Sequence, residues 1–155
     1  MNRNNRKAFE DMLGFSEGTI GIPGSDGGYK VVVGETLFQS YQDHPRKKVF
    51  IKRINDYSTA AGKYQILERY YDHYKKQLGL KDFSPASQDA IAWQLIRECK
   101  AVDDIDAGRI EAAIVKCKSR WASLPGAGYG QQEHSMRRLI DAYLAYGGTV
   151  GGSND

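Results

Sequence analysis

Apolar residues recur at helical spacing in separate stretches of this chain, and glycine-rich segments part them. Within residues 5–16, Phe9, Met12 and Leu13 predict a first helix, with Asn4 or Asn5 as its cap and Gly18 as its stop. Gly18, Gly21, Gly24, Gly27, Gly28 and Gly34, together with Pro23, then exclude a long helix. Tyr29, Val31 and Val33 alternate as in a short strand, so residues 18–56 read as loops with one small β element. From Ala61 the helical spacing returns through Tyr64, Leu67, Tyr71, Tyr74 and Leu78, and Gly79 ends it. Ser84 followed by Pro85 marks a helix start. The residues behind it, Ala90, Ile91, Ala92, Trp93, Leu95 and Ile96, are apolar almost all round and predict a central buried helix. Ile110, Ile114, Cys117 and Trp121 mark a further amphipathic helix, and Met136, Leu139, Ile140 and Tyr143 the last, which Gly147 and Gly148 close. Both tryptophans are expected in the core.

These elements predict an α+β fold, mainly helical with a small β-containing lobe. The spacing shows no internal repeat and no Pro/Ser-rich linker, so residues 1–150 read as one bilobal domain and residues 151–155 as a flexible tail. Bilobal domains commonly seat a ligand between their lobes.

Composition narrows the function classes. The chain has 155 residues, 41% hydrophobic and 26% charged, which is ordinary for one globular domain. Its 22 basic and 19 acidic residues are interspersed, and the net charge of +3 forms no dense basic stripe, so no nucleic-acid partner is expected. Cys99 and Cys117 show no CxxC pair, no His/Cys ligand spacing and no disulfide framework. Both are expected to be reduced, partly buried thiols, and neither a metal nor a cofactor is expected. His44, His73 and His134 are read as surface residues. No segment approaches the ~18 apolar residues of a membrane span, and the N-terminal stretch lacks the apolar run of a signal peptide, so folding in the cytoplasm and no stable membrane association are expected.

One carboxylate stands out by position. Glu17 lies at the C-terminal end of the first predicted helix, directly before Gly18 and Thr19. There it meets the negative end of the helix dipole, which disfavours its charged form by roughly 0.3–1 kcal/mol, and partial burial would raise its pKa further. Such a group can hold a proton near neutral pH and deliver it as a general acid. By position alone, an ordinary exposed glutamate at a frayed helix end is the commoner case.

Longer blocks sharpen this. The stretch from Arg6-Lys7-Ala8-Phe9 to Ser16-Glu17-Gly18-Thr19, together with Asp43-His44-Pro45-Arg46-Lys47 and Ala61-Gly62-Lys63-Tyr64-Gln65, resembles segments of the lambda-type phage endolysins. So do Lys76-Gln77-Leu78-Gly79-Leu80-Lys81-Asp82-Phe83-Ser84-Pro85 and the run from Trp121 through Ser123-Leu124-Pro125-Gly126-Ala127-Gly128-Tyr129-Gly130-Gln131. The blocks keep the family's order across nearly the whole chain. The resemblance implies a lysozyme-like fold and lytic transglycosylase activity on the β-1,4 bond between N-acetylmuramic acid and N-acetylglucosamine of peptidoglycan, with Glu17 as the acid and 1,6-anhydromuramic ends as the product. It also implies a monomer held in the host cytoplasm until a holin releases it to the periplasm and cell wall. Tyr64 and Gln65 are candidate contacts to an acetamido or hydroxyl group, although Tyr64 also falls on the apolar stripe. Tyr129 would stack on a sugar from its glycine-rich loop, with Gln131 beside it. Residues 20–28 and 49–58 and the C-terminal tail depart from the family pattern.

Two other functions fit parts of the chain. A hydrolytic muramidase would pair Glu17 with Asp26 as second carboxylate, but phage lysozymes of that type resemble Glu, then Asp, then Thr, and Val31, Val32 and Val33 stand where the threonine would be. A non-catalytic wall-binding module would use Tyr129 and Gln65 alone. Such modules are commonly short and repeated, unlike this chain.

Overall fold

A computed structural model describes residues 1–127 and 133–151. Its elements run α1 (Arg3–Ser16), β1 (Val31–Val32), β2 (Thr36–Leu37), β3 (Val49–Ile51), β4 (Asp56–Ser58), α2 (Glu68–Leu78), α3 (Pro85–Glu98), α4 (Val102–Ala107), α5 (Ile110–Cys117) and α6 (Met136–Ala145). The fold is α+β, as the sequence predicts. The chain divides into two compact units, one from Met1–Ser16 with Gln94–Asp155, the other from Glu17–Trp93. No helix among the described residues is long and apolar enough to cross a membrane.

The first unit gathers both chain ends. Ala8, Phe9, Met12 and Leu13 lie on one stripe of α1 and are fully buried, each of the larger three worth about 1.5–3 kcal/mol. That face packs on α6 and α4. The cap of α1 is Asn2, whose Oδ1 accepts from Asn5 N–H at 3.0 Å, and not Asn4 or Asn5. Asn5, only 1% exposed, acts elsewhere, its Nδ2 donating to the Ile105 carbonyl at 2.9 Å and its Oδ1 accepting from Thr149 N–H at 2.9 Å. One side chain thus ties α1 to α4 and to the chain's end. Arg6 holds Asp106 through two bonds of 2.9 and 2.8 Å and brings that carboxyl down to about 2. Helix α5 stops at Cys117, short of Trp121, yet Trp121 is buried as expected, whereas Trp93 in α3 is half-buried. Ser135 caps α6 by accepting from Arg138 N–H. Gly148 is required where the chain turns back, because a Cβ there would overlap the buried Tyr143 ring.

The second unit holds two antiparallel hairpins and α2. In the first, Val31 faces Leu37 and Val32 faces Thr36. The second, with Phe50 opposite Tyr57, was not legible as a strand pair: its turn is a single 3-10 turn at Lys52–Ile54 closed by left-handed Asn55, without the glycine or proline that usually marks a hairpin. Helix α2 begins at Glu68, not near Ala61. Gly62 and Gln65 take positive φ of 81° and 53°, which breaks the helix, and residues 61 and 66 pair as an isolated bridge instead. Thr59 Oγ1 accepts from Glu68 N–H at 3.0 Å and opens α2, while Gly79 in the left-handed region closes it. Ser84 caps α3 ahead of Pro85 as read from the sequence.

The histidines correct the surface reading in part. His73 is exposed and His134 half-buried, but His44 is only 2% exposed, packed against Phe83 and Tyr71 with ring centroids 4.9 and 5.7 Å away. Its Nδ1 accepts from Arg46 N–H, so Nε2 carries the hydrogen and donates to the Ile66 carbonyl at 2.9 Å. Beside it the Arg46 guanidinium joins Asp43, Glu68 and Asp72, which pins the Asp43–Arg46 turn to α2. Burial holds His44 below its ordinary 6.5, aided by Arg46 and opposed by the bond to Ile66. His134 is lowered as well, by burial and by Arg138.

In the window just below 6.5 the unfolded chain therefore binds protons that the native chain does not, so stability is complete above that value and falls as the pH drops through it. We expect a lower melting temperature at about pH 5.5 than at about pH 7.5, and a shallower drop in His44→Gln. An identical drop in the variant would remove His44 as a source.

Candidate active site

Glu17 is the residue that follows α1 and the first residue of the second unit. It is half-buried, so it is neither an exposed frayed end nor an interior group. Gly18, with φ of 76°, ends the helix behind it in a conformation that glycine adopts without penalty. Thr19 is buried, and its hydroxyl donates to the Lys63 carbonyl at 2.7 Å. That bond fastens the segment carrying Glu17 to the segment Ala61–Gln65, two blocks far apart in the chain.

Around Lys63 the unit builds a polar interior. Lys63 is 2% exposed, and its ammonium lies 5.1 Å from the Tyr29 ring centroid and 5.6 Å from that of Tyr64. The two rings meet edge to face, and both hydroxyls donate to Asp89 Oδ1, at 2.8 and 2.6 Å. Tyr64 is 1% exposed, so of the two roles open to it from the sequence the structure places it in the interior. Gln88, fully buried on α3, is the hub: its Oε1 accepts from Lys63 N–H, and its Nε2 donates to the Tyr29 and Phe83 carbonyls at 3.1 and 2.9 Å. Gly62 carries no Cβ because one would overlap Gln88 Oε1.

Gln65 is half-buried. Its Nε2 donates to the Gly62 carbonyl at 2.9 Å and more weakly to that of Val31, and among the described residues its Oε1 takes no bond. Asp26 sits exposed in the glycine-rich loop with φ of 54°, and its Oδ2 accepts from the Tyr41 hydroxyl at 2.6 Å. Burial and this carboxylate together push the Tyr41 phenol well above its ordinary value. Tyr129 and Gln131 lie outside the described residues. No group of three or more His, Cys, Asp or Glu among the described residues could hold a metal ion.

Gln88, Asp89, Tyr29 and Lys63 are the supporting residues that sequence reasoning passed over. A signal was present: Gln88 and Asp89 are consecutive polar residues ahead of the apolar run in α3.

The α+β frame of helices with small antiparallel hairpins is lysozyme-like. Two solved structures share that frame. Bacteriophage lambda lysozyme complexed with a chitohexasaccharide superposes with a TM-score of 0.93 at 54% identity, covering 97% of this chain and 98% of that one. A second solved structure, of lysozyme from bacteriophage lambda, does so with a TM-score of 0.88 at 53% identity and the same coverage. The endolysin of Escherichia phage lambda is 54% identical over 149 residues, 95% of this chain and 94% of its own length, and that of Escherichia phage P2 is 51% identical over 93% of each. With the endolysin family model matching residues 7–150, the chain belongs to the endolysin family. It is a peptidoglycan-degrading enzyme of the phage type.

Proposed function

We propose that the chain is a lytic transglycosylase in which Glu17 is the general acid. Glu17 protonates the oxygen between N-acetylmuramic acid and N-acetylglucosamine, the bond from that oxygen to muramic C1 breaks, and the muramic C6 hydroxyl closes on C1. The hydroxyl's proton returns to Glu17, so the acid is regenerated and no water is consumed. The observation that carries this choice over hydrolysis is the state of Asp26. A hydrolase needs a second carboxylate as nucleophile or water activator. Asp26 is the only acidic residue between Glu17 and the Val31–Val33 run, and its carboxylate is exposed and engaged by Tyr41.

Gln65 is proposed as a direct contact, its Oε1 accepting from an acetamido N–H or sugar hydroxyl, and Tyr64 as a positioning residue acting through Asp89. A related lysozyme of the same fold holds a chitohexasaccharide, which supports a glycan ligand for this chain. Tyr129 and Gln131 remain proposed sugar contacts. The proposal extends to residues 1–150 working as one catalytic domain, as a monomer, reaching the wall from the host cytoplasm through a holin.

The products test the mechanism. Wild-type digests of murein should contain muropeptides lighter by one water than hydrolysed ones and resistant to borohydride. Asp26→Asn should keep activity within ~10-fold, because its role would be local. Reducing muramic ends, with a folded but inactive Asp26→Asn, would establish hydrolysis instead.

A further inference from the structure

Two contacts bring the chain behind α3 against the end of α5. Arg120 Nη2 lies 2.9 Å from Glu98 Oε1, and Lys116 Nζ donates to the Lys100 carbonyl at 3.4 Å. These clasps bracket Cys99 on one segment and Cys117 on the other. Between them Cys99 and Cys117 lie beside one another and interact, with Ser119 next to Cys99. Both cysteines are free; Cys99 is half-buried and Cys117 fully so. Of the two, Cys99 is the more open to a dissolved reagent.

We propose that Cys99 and Cys117 form a redox-active dithiol, which a small disulfide oxidant closes into an intramolecular bond that staples the end of α3 to the end of α5. Cys99 is the attacking group. It is the more exposed of the two, and its interaction with Cys117 and the Arg120 charge outweigh burial and bring its thiol to about 7, while the same interaction and burial push Cys117 up. The Cys99 thiolate attacks one sulfur of the oxidant, whose disulfide breaks and releases a thiolate. Cys117 then attacks the Cys99 sulfur in the mixed disulfide and expels the second thiol, its proton passing to the thiolate released. Two protein thiols lose two electrons and two protons, and the oxidant becomes two thiols. The timing rests on the function proposed above, with synthesis in a reducing compartment and action in an oxidising one; the thiol chemistry does not.

The full chain would be incubated with glutathione disulfide, unfolded in N-ethylmaleimide, and weighed intact. The expected product is a monomer two hydrogens lighter with no alkylated cysteine, and dithiothreitol restores both thiols. Cys117→Ser should stop at a glutathione adduct on Cys99, and Cys99→Ser should stay unmodified while folded. A wild-type chain that keeps a stable adduct on Cys99, keeps both thiols, or cross-links into dimers would overturn the proposal. Murein lysis by the untreated chain, measured alongside, tests the function separately and leaves the thiol result to stand by itself.

Discussion

Glu17→Gln should purify as a folded protein, melt within a few degrees of wild type, and lose murein lysis by a factor on the order of 10²–10⁴. The amide matches the carboxyl in size and stays half-buried behind α1, so the Gly18 turn and the bond from Thr19 to Lys63 survive. What it lacks is a proton acidic enough for the role of general acid proposed for Glu17. The measurement is the rate of turbidity loss on purified murein, with circular dichroism confirming the fold. A folded variant retaining more than about a tenth of the wild-type rate would show that the acid lies elsewhere, since losing a general acid costs far more than that.

The second large effect is on stability. Gln88→Ala should lower the unfolding free energy by about 3–5 kcal/mol, a substantial share of the ~5–15 kcal/mol of a typical domain. Gln88 is fully buried and serves Lys63 N–H and the carbonyls of Tyr29 and Phe83. Truncation leaves these backbone groups without that partner, at roughly 1–3 kcal/mol for each that water does not reach, and opens a void. Gln88→Glu retains an acceptor for Lys63 N–H but presents carboxylate oxygens to the two carbonyls, so it should not rescue. Urea denaturation decides the matter, and a loss below about 1 kcal/mol would mean that other groups carry these bonds. Because Lys63 is also the residue to which Thr19 is fastened, lysis by the folded fraction should fall too.

The class of the fold was legible because helical spacing, Gly79, and the Ser84-Pro85 start are local signals that tertiary packing left in place. The start of α2 was misread for the opposite reason. Tyr64 and Leu67 continue the apolar spacing, yet Tyr64 is buried to place a hydroxyl on Asp89, and the positive φ of Gly62 and Gln65 serves contacts with residues remote in sequence. His44 was read as a surface residue because an imidazole beside a proline carries no mark of burial. Its carbonyl partner on Ile66 and its aromatic neighbours come from other segments.

The sequence by itself determined the α+β class, the helix-end position of Glu17 and, through ordered blocks such as Ser16–Thr19, the family, since each depends on residues close together in the chain. Tertiary structure alone decided which polar groups support the site and which cysteines meet. Gln88 reaches Tyr29 and Lys63 only because backbone turns bring distant segments within the few ångströms over which hydrogen bonds act, and the same folding sets Cys99 beside Cys117. No residue's type or spacing records the partner it will find there.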